Sequence, residues 1–262
     1  MNQVKRAVSV AGTGISFVIF MLWGFFLGAL LFPMLRFFEG KRARAAFHRH
    51  MRFTWRIFTA IMQLTGGFRS IRVTGLENLP KNRPYLLIGN HLTLVDIVVL
   101  GARVPDFNCV VKMSLWNHPF FGAVVKACNF IPNIASDVFI EQCQKGFDEN
   151  RPLIIFPQGS RTPPDEPLKF QRGAAQVAVR TGVDVYPALI SCQPVTLAKG
   201  MQWYKVPAFP RLHIEIQPAL LPPDDFDTDA PTPRQVRQLN QWWEQYFRKQ
   251  LTGHEAPETS TT

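Results

Sequence analysis

The chain opens on an apolar run that carries no charge from Ala7 to Leu35, and only afterwards breaks into shorter segments. The run exceeds the roughly 20 apolar residues that cross a bilayer. No small-residue cleavage site of the signal-peptide kind follows it, so the pattern predicts an uncleaved anchor. Gly24, Gly28 and Pro33 leave a second geometry open, a bent or re-entrant helix pair that dips into one leaflet and returns. From Lys41 to Thr65 the apolar positions Phe47, Met51, Trp55, Phe58 and Met62 recur at three- and four-residue spacing, which is one stripe of a helix. Arg42, Arg49, Arg52 and Arg56 are interleaved with it, and the combination reads as a helix lying on an anionic membrane surface. The competing reading is a helix packed on the core with a solvated basic face.

After Thr65-Gly66-Gly67 the period changes. "SIRVTG", "YLLIGN", "NCVVK", "PLIIFPQGS", "DVYPALIS" and "RLHIEIQ" read as strands, and "NFIPN" as a short extended piece. Between them, "TLVDIVVLGAR", the proline-initiated "NHPFFGAVVKAC", residues 136–150 and "QRGAAQVAVRTG", closed by Gly182, read as helices. Thr232 to Leu251 is an amphipathic helix. The alternation predicts an α/β fold with a mixed, largely parallel sheet flanked by helices, preceded by an N-terminal membrane helix or re-entrant helix pair. The predicted organisation is an anchor over 1–40, a basic amphipathic membrane-surface helix over 41–66, a catalytic domain over 67–251 and a disordered tail over 252–262.

Composition narrows the partners. The chain has 262 residues, 47% of them hydrophobic, and a formal charge of +10, which calls for an anionic partner. The densest positive charge follows the apolar run directly, and no nucleic-acid motif is visible, so an anionic membrane is favoured over nucleic acid. Lys5 and Arg6 precede the run, whereas Arg36, Lys41, Arg42, Arg44, Arg49, Arg52 and Arg56 follow it. The larger positive flank places the bulk of the protein on the cytoplasmic side, at the inner membrane if the source is bacterial. Cys109, Cys128, Cys143 and Cys192 form no CxxC pair and no metal-ligand spacing, and read as buried reduced thiols.

Two stretches carry chemistry. "NHLTLVD" sets Asn90, His91 and Asp96 at the carboxyl end of a buried strand, where open α/β sheets place their sites. A carboxylate that takes a hydrogen bond from one ring nitrogen fixes the tautomer and leaves the other nitrogen as a base. No GxSxG nucleophile elbow is present, so the proton would come from a substrate hydroxyl, which points to direct acyl transfer. A His–Asp pair at a turn is also compatible with a structural role at a helix start. The second stretch, "IIFPQGSRTPPDEPLKFQRGAA", runs from a strand into Gly159, Ser160 and Arg161, with Lys169, Arg172 and Gly173 beyond. Glycine lets a backbone approach a ligand closely, and guanidinium suits phosphate or carboxylate.

Taken together, these residues resemble the lysophospholipid (1-acyl-glycerol-3-phosphate) acyltransferase family. Its NHxxxxD hallmark stands here as "NHLTLVD", its FPEGTR hallmark as "FPQGSR", its FKKGA-like continuation as "LKFQRGAA" and its late V/I-P block as "VYPALI". "VVKMSLWNHPFFGAVVKACNFIP" resembles the family's lysine-bearing strand and proline-initiated helix. The resemblance implies transfer of an acyl group from acyl-CoA or acyl-carrier protein to the hydroxyl of a lyso-lipid, with lysophosphatidic acid the leading acceptor. It implies no metal and no tightly held cofactor. His91 would be the general base and Asp96 its orienter. Asn90, Lys112, Phe156, Pro157, Gln158, Gly159, Ser160, Arg161, Lys169 and Arg172 would shape or bind the acceptor site. Gln158 departs from the usual Glu and Ser160 from the usual Thr. A cation often found after the "FI" of the middle block is missing, since no Lys or Arg lies between Lys126 and Lys145. Thioester hydrolysis, acylation of a lipid without a phosphomonoester, and lipid binding by a degenerate site remain alternatives.

Overall fold

A computed structural model describes residues 2–26, 41–119, 121–134, 137–163 and 166–254. Two helices come first, α1 (Asn2–Phe26) and α2 (Lys41–Leu64). The return arm of the predicted re-entrant pair would fall in 27–40, outside the described residues. The rest runs β1 (Ser70–Thr74), β2 (Leu86–Gly89), α3 (Asp96–Gly101), β3 (Asn108–Val111), α4 (Met113–Trp116), α5 (Phe121–Ala127), β4 (Ile131–Pro132) and α6 (Asp137–Asp148). It continues through β5 (Leu153–Ile155), α7 (Gly173–Thr181), β6 (Val185–Gln193), β7 (Arg211–Ile216) and α8 (Thr232–His254). The last helix therefore continues past residue 251, and 255–262 lie outside the described residues.

The seven strands form one sheet in the order β1-β7-β6-β2-β5-β3-β4. Only β6 and β7 run antiparallel; the other neighbours are parallel. This is the mixed, largely parallel sheet expected. Alternation along the central strands explains why they are apolar throughout. Leu87 of β2 and Ile154 of β5 point into one core with α2 and α3, while Leu86, Ile88, Leu153 and Ile155 point into the other with α6, α7 and α8. Each such side chain contributes about 1.5–3 kcal/mol when fully buried.

The stripe on α2 is turned to protein. Phe47, Met51, Phe58 and Met62 are buried in the first core. This corrects the expectation that the same stripe faces lipid: packed side chains are not available to a membrane. The large apolar residues of α2 that remain exposed, among those described, are Phe53, Ile57 and Leu64. Arg56 donates from Nε to the Ala102 carbonyl at 2.9 Å and ties the helix to the end of α3.

Helix α1 is docked as well. Ser9, Thr13 and Ser16 are fully buried along one face. The Phe209 N–H donates to Ser9 Oγ at 2.8 Å, and Ser16 Oγ donates to the Gly12 carbonyl at 2.7 Å. A Cβ on Gly12 would stand 2.1 Å from the Thr65 carbonyl oxygen, so only glycine permits this approach. The opposite face exposes Val4, Ile15, Val18, Leu22 and Phe25. Among the described residues this is the one helix long and apolar enough to cross a membrane by length and composition.

At the amino ends of β3 and β5 lies a buried polar knot. Arg151, 1% exposed, approaches Asp106 at 3.3 Å and His48 Nε2 at 3.0 Å. It also donates to the carbonyls of Phe107 and Cys128. His48, 3% exposed, lies 2.9 Å from the Cys128 carbonyl. The knot joins α2, the approach to β3 and the start of β5 at the end of the sheet remote from the loops that carry "NHLTLVD" and "FPQGSR".

Candidate active site

Three adjacent parallel strands deliver the candidate residues. β2 ends at Gly89 and hands over Asn90 and His91; β5 ends at Ile155 and hands over the Phe156–Arg161 turn; β3 ends at Val111 and hands over Lys112. Parallel pairing makes all three carboxyl ends emerge on the same edge.

The His–Asp pair is formed. His91 Nδ1 lies 2.9 Å from Asp96 Oδ2. Asp96 is fully buried at the first position of α3, and its carboxylate also accepts from the Leu92 and Thr93 N–H groups at 2.8 Å and from the Thr93 hydroxyl. A carboxylate can only accept, so Nδ1 is the donor in this contact, and in the neutral ring the lone pair is then on Nε2. Nε2 has no protein partner among the described residues. The ring is 19% exposed, and it stacks on Phe156 with centroids 4.3 Å apart, which limits its rotation.

The two motif loops are stapled together. The His91 N–H donates to Gln158 Oε1, the Thr162 N–H donates to the His91 carbonyl at 3.1 Å, and Gln158 Nε2 donates to the Thr162 hydroxyl. An amide side chain is suited to this position because it accepts at one end and donates at the other. Asn90 serves the next strand similarly: its Nδ2 donates to the Ile190 carbonyl at 2.8 Å and its Oδ1 accepts the Ile190 N–H at 2.7 Å. Gly159, at φ +68°, closes the turn after Pro157 in a conformation that a side chain would strain.

A cavity of about 1180 Å³ opens over these loops. Its polar end is lined by His91, Lys112, Gly159, Ser160, Arg161 and Lys199. Its apolar arm is lined by Phe17, Phe20 and Trp23 of α1 and by Met51, Trp55 and Phe58 of α2. Phe156 and Pro157 also face it. Asn90 and Gln158 do not line it, and their polar side-chain atoms bond to protein groups. Lys169 and Arg172 are exposed and do not line the cavity, whereas Gln171 and Gly173 of the same segment do; the Phe170 N–H donates to Glu244 of α8 at 2.8 Å. Arg161 donates from Nη1 to the Leu197 carbonyl at 2.8 Å, so part of its guanidinium holds a loop.

Three contributors escaped the sequence reading. Thr93 and Thr162 serve Asp96 and Gln158 through hydroxyls that sit inside or beside the motifs, so local spacing pointed to them. Lys199 comes from the long β6–β7 connection, and nothing in its sequence neighbourhood marks it.

The four cysteines lack the setting of an activated thiol. All four are free and buried. Burial pushes the thiols of Cys109, Cys143 and Cys192 up to about 12, and that of Cys128 well above its ordinary value. Such thiols stay protonated and are poor nucleophiles at neutral pH.

Comparison with known proteins places these features in company. The family model described as Acyltransferase matches residues 70–191, which span all three strand ends of the site. The 1-acyl-sn-glycerol-3-phosphate acyltransferase of Saccharomyces cerevisiae is 32% identical over 148 residues, 53% of this chain and 48% of that protein. The protein of the same name from Pseudomonas aeruginosa is 27% identical over 227 residues, 84% of this chain and 80% of that one. The chain spans about half the length of the yeast relative and of a Helicobacter pylori relative, 48% and 54%. The crystal structure of the 1-acyl-sn-glycerophosphate acyltransferase PlsC from Thermotoga maritima superposes with a TM-score of 0.74, covering 99% of this chain and 100% of that one at 20% identity. That likeness establishes a shared fold.

Proposed function

We propose that the protein, whose residues 70–191 match the Acyltransferase family model, transfers a fatty acyl group from a thioester donor, acyl-CoA or acyl-carrier protein, to the hydroxyl of a lyso-phospholipid. The observation that carries this reading is the His91–Asp96 pair, which fixes the imidazole tautomer and turns an unclaimed Nε2 toward a cavity with a cationic end and an apolar arm.

The chemistry follows from that arrangement. His91 Nε2 takes the proton from the acceptor hydroxyl as its oxygen forms a bond to the thioester carbonyl carbon. The imidazolium is stabilised by Asp96. Collapse of the tetrahedral intermediate breaks the carbon–sulfur bond, and the departing thiolate takes the proton from Nε2. The products are an ester and a free thiol, and the imidazole returns to its starting state. Base catalysis of this kind contributes about 10²–10⁴-fold.

The relatives' names favour lysophosphatidic acid as the acceptor, and the cations at the polar end, Lys112 and Arg161 among them, suit its phosphate. The apolar arm between α1 and α2 suits acyl chains. Membrane association is part of the proposal: the exposed face of α1 supplies an apolar surface, and the basic flank after it orients the domain to the cytoplasmic side.

The test is the fate of a labelled acyl thioester. With purified protein, lysophosphatidic acid and either donor, label should move into diacylated product. Label released mainly as free fatty acid, whatever lyso-lipid is supplied, would replace transfer with hydrolysis.

A further inference from the structure

The polar end of the cavity is unusual in its charge. Lys112, Arg161 and Lys199 line it, and no Asp or Glu does. Among the described residues none of the three forms an ion pair. A phosphomonoester carries close to two negative charges near neutral pH and accepts several charge-assisted hydrogen bonds. Part of Arg161 is occupied: its Nη1 donates to the Leu197 carbonyl at 2.8 Å and approaches the Ala198 carbonyl at 3.4 Å. The β4 end of the sheet adds no cation, since Asn133 is the residue that lines the cavity there.

Lys199 follows directly on the two carbonyls that Arg161 grips. Its turn is firmly held. Leu197 and Ala198 are buried at 3% and 0% exposure, the Leu94 N–H donates to the Leu197 carbonyl at 3.0 Å, and the Met201 N–H closes on the Ala198 carbonyl at 3.1 Å. Gly200, at φ +83°, allows the chain to reverse at that point. The exposed ammonium therefore stands on an anchored tip, tied by one strut to the His91 loop and by another to the Arg161 loop. An ordinary surface lysine would have neither. A cation on a fixed mount at a carboxylate-free wall is a preorganised anion contact.

We propose that Lys199 binds the phosphate of the incoming acceptor together with Lys112 and Arg161, and so sets the preference for a phosphate-bearing lyso-lipid over a neutral one. The inference rests on the acyl-acceptor reading above. It supplies a cation from the β6–β7 connection where the β4 end of the site has none.

The shared chemistry is a phosphate, and the donor also carries phosphates, so the experiment separates the two sources. Equilibrium binding of lysophosphatidic acid, of the matched monoacylglycerol and of CoA is measured on the full chain in detergent micelles. The proteins are wild type, Lys199→Met, Lys199→Arg and His91→Ala. Lys199→Met should weaken lysophosphatidic acid binding by about tenfold or more, with monoacylglycerol and CoA unchanged and with largely restored binding in Lys199→Arg. In turnover the same loss should appear in KM for lysophosphatidic acid, with kcat little altered. Unchanged lysophosphatidic acid binding in Lys199→Met overturns the proposal, and so does a loss confined to CoA, which would assign the cation to the donor. Binding does not require turnover. A His91→Ala protein that binds the acceptor normally but still transfers acyl groups would reject the catalytic reading while leaving the Lys199 result to stand on its own.

Discussion

Two histidines in this molecule each sit close to an aspartate, and they have opposite fates. His48, 3% exposed, is closed in: its Nε2 meets the Cys128 carbonyl and the Arg151 guanidinium, and Asp106 lies 3.8 Å away. His91, 19% exposed, gives Nδ1 to a fully buried Asp96 and presents Nε2 to a large cavity. The first knot stands at the amino ends of the parallel strands and welds α2 to the sheet. The second stands at their carboxyl ends, where loops diverge and a ligand has room. The lesson is that residue type and proximity do not make a base. One nitrogen must be fixed by a partner that only accepts, and the other must be left over for substrate.

Substitutions at the two aspartates break the comparison most strongly. Asp96→Asn replaces a group that only accepts by an amide that can donate to Nδ1 and favour the wrong tautomer, so kcat for acyl transfer should fall by about 10²–10⁴-fold. Asp106→Asn touches only the structural knot and should leave kcat of the folded protein within about twofold; steady-state kinetics on both purified variants reads the contrast. A smaller effect, in stability instead of rate, is expected at the centre of the knot. Arg151→Met strips a buried guanidinium from its acceptors, and chemical denaturation should show a loss of about 3–5 kcal/mol. An Arg151→Met protein as stable as wild type would mean that the knot does not hold α2 to the sheet.

An effect that does not separate the two histidines concerns pH. The buried thiols of Cys109, Cys143 and Cys192 are raised from 9.0 to about 12, so the folded state keeps protons that the unfolded chain loses from about pH 9 upward. Unfolding then releases protons, and stability must fall as pH rises across that window while being fully present below it. Thermal melting temperature should be flat from pH 7 to 8.5 and decline from pH 9 to 11. Because the thiols are protonated at pH 8, alkylating reagents at that pH should leave turnover of the native protein unchanged.

Much of this was legible in the sequence because it is local. The central strands announce themselves as continuous apolar runs, and Gly182 closes α7 in the left-handed conformation (φ 64°) that its position after a helical segment suggests. His91 and Asp96 lie five residues apart, so a single turn suffices to join them. What escaped was long-range. The stripe on α2 has the same spacing whether it meets lipid or a sheet, and only the assembled core shows Met62 fully buried. Lys169 and Arg172 follow the motif in sequence, yet it is their neighbours Gln171 and Gly173 that line the cavity, while Glu244 on α8, more than seventy residues later, takes the Phe170 N–H. Lys199 reaches the site because Arg161 and Leu94 grip its loop, contacts that span 36 residues and more than a hundred. Gln158 shows how a departure from a family pattern becomes readable once its partners are known. An amide satisfies the His91 N–H and the Thr162 hydroxyl at once.

The central claim is that His91 Nε2 removes the acceptor proton. It is tested most directly by purified His91→Ala, assayed for transfer from acyl thioester to lysophosphatidic acid alongside its thermal melting and its acceptor binding. Transfer should fall by at least about 10²-fold, with melting temperature and acceptor affinity close to wild type. A folded His91→Ala protein that transfers acyl groups at the wild-type rate would contradict it.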